Sequence, residues 1–134
     1  MALEFREIPI NDYHGPKRRK VFFVFENDRS KVDNGFSKLN GNIQELVLDL
    51  ICQLATRTEK FNSPKIRYSF VGFPKIAELK PDKHNRFFFF TIIDENIIFY
   101  EYKEKSGDKL PHKIVKEIDQ KREYYEKEFK KKHF

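Results

Sequence analysis

One cysteine, no tryptophan and five scattered glycines narrow what these 134 residues can do. A lone Cys52 excludes a disulfide framework within the chain. It sits in an apolar helical run, where a thiol reads as buried and inert rather than nucleophilic. The glycines form neither a P-loop nor a Gly-x-Gly-x-x-Gly turn, so no nucleotide cofactor is expected. His14, His84, His112 and His133 lack metal-ligand spacing, so no metal is expected either. There is no Gly-x-Ser-x-Gly elbow, and the acids interleave with lysines instead of pairing for two-carboxylate hydrolysis. The longest apolar stretch is broken by Asp94, Glu95 and Asn96, well short of a membrane span. Glu4, Arg6 and Glu7 interrupt any signal-peptide core, and a cytoplasmic protein is expected.

What is abundant is aromatic and basic. The chain has fifteen Phe and six Tyr, and a formal net charge of +6. An AT-rich genome also yields Phe, Lys, Ile and Asn, but the charge favours a polyanionic partner. The length is that of one domain, 1–134, with room for one ordinary core.

Residues 1–19 read as an arm or an irregular edge strand, with Pro9, Gly15 and Pro16 and no helical period. Lys17–Lys20 is a basic cluster that either grips phosphate or leads into the buried strand that follows from Val21. A weak helix interrupted by Gly35 comes next. Ile43, Leu46, Val47, Leu50, Ile51 and Leu54 then fall on one helical face, with Asn42 as N-cap and Glu45 in the box position. Residues 65–73 suggest a short strand, broken by Gly72 and Pro74. Pro111 suits the first turn of a last helix with Ile114, Val115, Ile118, Tyr125 and Phe129 inward. Glu117–Lys121, Glu123–Lys127 and Glu126–Lys130 are its expected i,i+4 pairs, and residues 130–134 are expected to fray.

Between these helices, residues 76–111 read as a three-stranded antiparallel meander with turns at 81–85 and 94–96. Its middle strand, RFFFFTII, is apolar on both faces and so belongs inside the sheet. Strict alternation puts Glu101, Lys103 and Lys105 on one face of the last strand and Tyr100 and Tyr102 on the other. Lys80, Arg86, Lys103 and Lys105 can then converge near the loop ends. Fixed cations beside tyrosines such as Tyr102 suit a phosphodiester and a stacked base. Such a site could cleave RNA without metal, the cations stabilising the charge that builds on phosphate as the 2′-hydroxyl attacks. Glu78, His84, a lysine or a tyrosine are candidate acids and bases. The alternative is that these charges only solvate an exposed sheet face.

Strand, two helices, meander and C-terminal helix, taken together, resemble the RelE/ParE toxin superfamily, most closely its HigB-like, phage-derived branch. The resemblance rests on Glu78-Leu79-Lys80, on Arg86 followed by Phe88 and Phe90, and on Ile97-Ile98-Phe99-Tyr100. It continues through Tyr102-Lys103-Glu104-Lys105, Lys109-Leu110-Pro111, and Ile118 with Arg122. It implies an α+β, RelE-like fold: a small antiparallel-dominated sheet, two N-terminal helices and a C-terminal helix. It also implies the toxin of a type II toxin–antitoxin system, a metal-independent endoribonuclease acting on mRNA on the ribosome and neutralised by a cognate antitoxin. By similarity, Lys80 and Arg86 hold the phosphate, Lys103 or Lys105 stabilises the transition state, and Tyr124 or Tyr125 orients base or ribose. Tyr102, His84 and Lys109 are then RNA contacts. Two departures stand out: Lys80 replaces the branch's arginine, and Glu104 splits the basic doublet. The alternatives are a ParE-type inhibitor of gyrase and a catalytically silent nucleic-acid or partner-binding module of the same fold.

Overall fold

Phe87, Phe88, Phe89 and Phe90 in succession need apolar cover on both sides of one strand, and the fold supplies it. The computed structural model describes residues 2–104 and 109–134. In chain order its elements are β1 (Leu3–Glu7), β2 (Lys20–Glu26), α1 (Lys31–Ser37), α2 (Gly41–Thr56), β3 (Ile66–Arg67), β4 (Ala77–Leu79), β5 (Asn85–Ile92), β6 (Asn96–Glu104) and α3 (His112–His133). The six strands form one sheet in the order β1-β2-β6-β5-β4-β3. It is mixed: β2 and β6 run parallel, and the other neighbours are antiparallel. The protein is α+β.

Phe87 and Phe89 pack with Val21, Phe23 and the Val47, Leu50, Ile51 and Leu54 face of α2. Phe88 and Phe90 point the other way, into a second layer with Val115, Ile118, Tyr125 and Phe129 of α3. The doubly apolar β5 is thus an inner strand between two cores, as its composition requires.

Several local expectations change. Of the two readings of the N-terminal residues, arm or edge strand, residues 3–7 take the second, as the edge strand β1 paired with β2 from Leu3↔Glu26 to Glu7↔Phe22. The N-cap of α2 is Asn40 rather than Asn42, its side-chain oxygen accepting from the Ile43 N–H at 3.0 Å, so Glu45 stands outside a capping box. Pro111 precedes the first turn of α3, in the cap position, and its carbonyl accepts from Ile114 and Val115. Of the three expected i,i+4 pairs on α3, Glu126–Lys130 forms among the described residues, at 3.1 Å. Nor does the C-terminus fray before residue 133: Lys132 Nζ donates to the Leu3 carbonyl at 2.9 Å, and the His133 ring stacks on Phe129.

Gly35 does not interrupt α1; it lies within it, buried. A Cβ there would fall inside the van der Waals surface of the Tyr102 ring, so only glycine lets α1 lie this close to β6.

The largest correction concerns β6. Phe88 pairs with Glu101 but Phe89 with Phe99, which leaves Tyr100 as an extra residue in a β-bulge. Strict alternation fails there. Tyr100 packs in the α3 layer and Glu101 is reached by Lys121 of α3, whereas Tyr102 packs in the α1–α2 layer.

Candidate functional site

The meander brings together three of the expected cations. Arg86 and Lys103 are direct cross-strand partners on β5 and β6. Leu79 pairs with Phe87, so Lys80, the next residue, comes level with Arg86 on the far side. Paired residues share a face, and Arg86 shares the face of Phe88 two residues on. Lys80, Arg86 and Lys103 therefore form one row across three strands, on the side of the sheet that carries α3. The row meets the turn that precedes β5. There Asp82 accepts from the His84 and Asn85 N–H groups at 2.9 and 2.8 Å. Burial opposes ionisation of Asp82, but these donors outweigh it and hold its carboxyl below the usual range.

The members of the row differ in access. Lys80 and Lys103 are partly exposed. Arg86 is only 1% exposed, with Nη1 3.3 Å from the carboxylate of the equally buried Glu78. A buried guanidinium committed to a carboxylate is an internal strut in this state, not a surface grip for phosphate. Glu78 is likewise committed to Arg86, which counts against it as a free general base. His84 is exposed on the turn.

Other expected members lie elsewhere. Tyr102 is turned to the opposite face, beneath Gly35, with its hydroxyl bonded to Asn85 and its ring against Phe87, so it presents no free face to a base. Tyr125 is buried at the end of β2, where its hydroxyl donates to Glu26. Burial, and then that carboxylate, push its pKa up, which disfavours a tyrosinate base. Tyr124, the other candidate, is 41% exposed. Lys109 lines a small cleft with Arg67, Phe70 and His112. Lys105 falls outside the described residues.

A second polar cluster lies beside the row. Two residues before Lys103 on β6, Glu101 is 1% exposed, and its Oε2 accepts from Lys121 at 2.5 Å and Lys31 at 3.4 Å. The Tyr102 N–H caps the other oxygen at 3.0 Å. Burial resists the charge on Glu101, yet the ammonium of Lys121 outweighs it and keeps the carboxyl low. Lys121 is held above its usual value: burial opposes this, but the bond to Glu101 prevails. Lys31 is pushed down, chiefly by Lys121. Lys31 and Lys121 line a cleft of about 380 Å³ with Glu26, Arg29, Tyr100 and Tyr125, and both reach from its wall to Glu101.

Sequence reasoning assigned Lys121 to an i,i+4 pair with Glu117 and gave Lys31 no task. Nothing local marks either, since their meeting point depends on the bulge at Tyr100. Cys52 is buried and its thiol is pushed up by burial. Among the described residues no three His, Cys, Asp or Glu side chains converge as metal ligands would, and no helix is long and apolar enough to cross a membrane. No protein-family model and no curated protein matches the chain.

Proposed function

We propose that this chain is a RelE-type toxin of the HigB-like branch, a metal-independent endoribonuclease that cuts translated mRNA in the cytoplasm and is held in check by a cognate antitoxin. The observation that carries this reading is the row of Arg86 and Lys103, paired across β5 and β6, with Lys80 just past the end of β4 beside them. The succession of β2, α1, α2, the β4–β6 meander and α3 supports it.

In this mechanism Lys80 and Lys103 flank the scissile phosphate and stabilise the charge that grows on its oxygens as the 2′-hydroxyl attacks. Arg86, tied to Glu78, fixes the spacing of the two lysines from beneath. The exposed His84 is the group best placed to exchange a proton with the 2′-hydroxyl or the leaving 5′-oxygen. Mapping RNA ends after induction tests the proposal. New ends should appear in translated messages, and Lys80→Ala with Lys103→Ala should reduce them by about 10²- to 10³-fold. Intact messages at growth arrest would overturn it.

One observation favours a second reading. Burial of Arg86 in its pair with Glu78 removes a phosphate ligand that cleavage would use. A non-cutting nucleic-acid-binding module is then the alternative, marked by salt-sensitive RNA binding without growth arrest. Stalled DNA replication, with toxicity indifferent to Lys80 and Lys103, would instead favour gyrase inhibition.

A further inference from the structure

The cleft beside Glu101 occupies a distinctive place in the sheet. β2 and β6 are parallel neighbours, laddered from Lys20↔Asn96 to Phe23↔Phe99. Beyond that point their connections leave for opposite faces: β2 feeds α1 and α2, and β6 feeds α3. Parallel neighbours that diverge in this way open a crevice at their carboxyl ends, the place where open α/β sheets bind ligands. The cleft lies there, with Val24 and Glu26 from β2, Tyr100 from β6, Asn34 from α1 and Lys121 from α3.

Its charges do not balance. Arg29, Lys31 and Lys121 line it with Glu26, and the buried Glu101 lies behind the two lysines, which leaves a surplus of one positive charge. A buried carboxylate needs a partner, and Lys121 alone supplies one for Glu101. A second ammonium on the same oxygen adds repulsion, which is why Lys31 is pushed down. Holding α3 to the sheet does not require it. The side chains of Lys31 and Lys121 remain 60% and 40% exposed, so donors are left over at the mouth of the cleft. Arg29 follows a tight turn in which Asn27 and Asp28 both take positive φ, and a bridge to Glu26 fixes it there. Among the described residues its side chain has no carboxylate within ion-pair distance.

We infer that this cleft is a phosphate-binding subsite, holding one backbone phosphodiester of a single-stranded RNA that continues from the Lys80–Arg86–Lys103 row. The single charge of a phosphodiester equals the surplus. Lys103 stands two residues from Glu101 on the same strand, so the row and the cleft form one track on the α3 side. The identity of the ligand rests on the RNA reading proposed above; the need for an oxyanion does not.

The test is equilibrium binding of a labelled single-stranded oligoribonucleotide, 2′-O-methylated so that it cannot be cut, across a salt series. Lys31→Gln with Arg29→Gln should weaken binding about tenfold and reduce the log–log salt slope by about 0.7, the value for one phosphate contact on a single strand. Lys38→Gln with Lys127→Gln removes the same charge from exposed sites outside the cleft and should stay within about twofold of the wild type. If the cleft variant behaves like this control, the inference is overturned. Saturable binding of inorganic phosphate that depends on Lys31 and Arg29, with oligonucleotide affinity unmoved, identifies a small phosphate ligand and also overturns it. A wild type that leaves messages intact, yet loses oligonucleotide binding in the cleft variant, sinks the nuclease reading and leaves the subsite standing.

Discussion

The ring of Tyr102 occupies the space into which a side chain at residue 35 would project. Helix α1 can lie on β6 only because Gly35 has no Cβ. Gly35→Ala is therefore expected to destabilise the fold by about 1–3 kcal/mol through overpacking, despite alanine's better helix propensity. Urea unfolding of Gly35→Ala beside Gly35→Ala/Tyr102→Leu checks the cause, because trimming the ring should recover most of the loss.

Arg86 and Glu78 form a pair that is costly to break and cheap to replace. Arg86→Met alone leaves the buried Glu78 carboxylate without its guanidinium and should cost about 3–5 kcal/mol. The double replacement Arg86→Met/Glu78→Leu should return to within about 1–2 kcal/mol of the wild type. Denaturant midpoints measure both. RNA end-mapping on the double variant then asks whether Arg86 acts through its charge or only as a strut.

The pH dependence of stability has a definite sign at Glu101. Its ordinary value is 4.5 and its folded value is lower, so the unfolded chain takes up the proton first as pH falls. The stability it contributes is present above about 4.5 and disappears as pH drops through the folded pKa. Glu101→Gln should cost about 2 kcal/mol at pH 7 and progressively less below pH 4. Thermal melts of both proteins across that range should converge at the acid end; parallel curves would refute the assignment.

The C-terminal turn contributes to stability. Removing residues 130–134 deletes the bond from Lys132 to the Leu3 carbonyl and the stack of His133 on Phe129. A loss of about 1–3 kcal/mol is expected. Hydrogen exchange should speed up most in β1, the strand that Lys132 tethers.

Much of the architecture was legible because it rests on local pattern. The doubly apolar run at 87–90, the turn at 94–96 and Pro111 mark the meander and α3 whatever lies around them. The apolar face of α2 was equally plain, although Asn40 and Asn42 compete as caps and only the backbone decides between them. The site was less legible because it depends on register. Alternation along β6 put Tyr100 on the face of Tyr102, whereas it lies on the other with Glu101, since a bulge is a property of two strands, and Phe88 and Phe89 must choose their partners before Tyr100 is left over. The burial of Arg86 follows from its meeting with Glu78, eight residues away, a contact that only the pairing of β4 with β5 creates.

The parallel ladder of Val21 with Ile97 and Phe23 with Phe99 has a consequence for biosynthesis. Strand β2 lies between β1 and β6, and β6 is made only after α1, α2 and the other five strands. Until then β2 has one neighbour, and the core beneath α2 lacks Ile97 and Phe99. Long-range pairing of this kind delays folding of β2 until β6 is available. The cation row needs β6, and the cleft also needs Lys121 and Tyr125 of α3, so neither can assemble before those elements have been made.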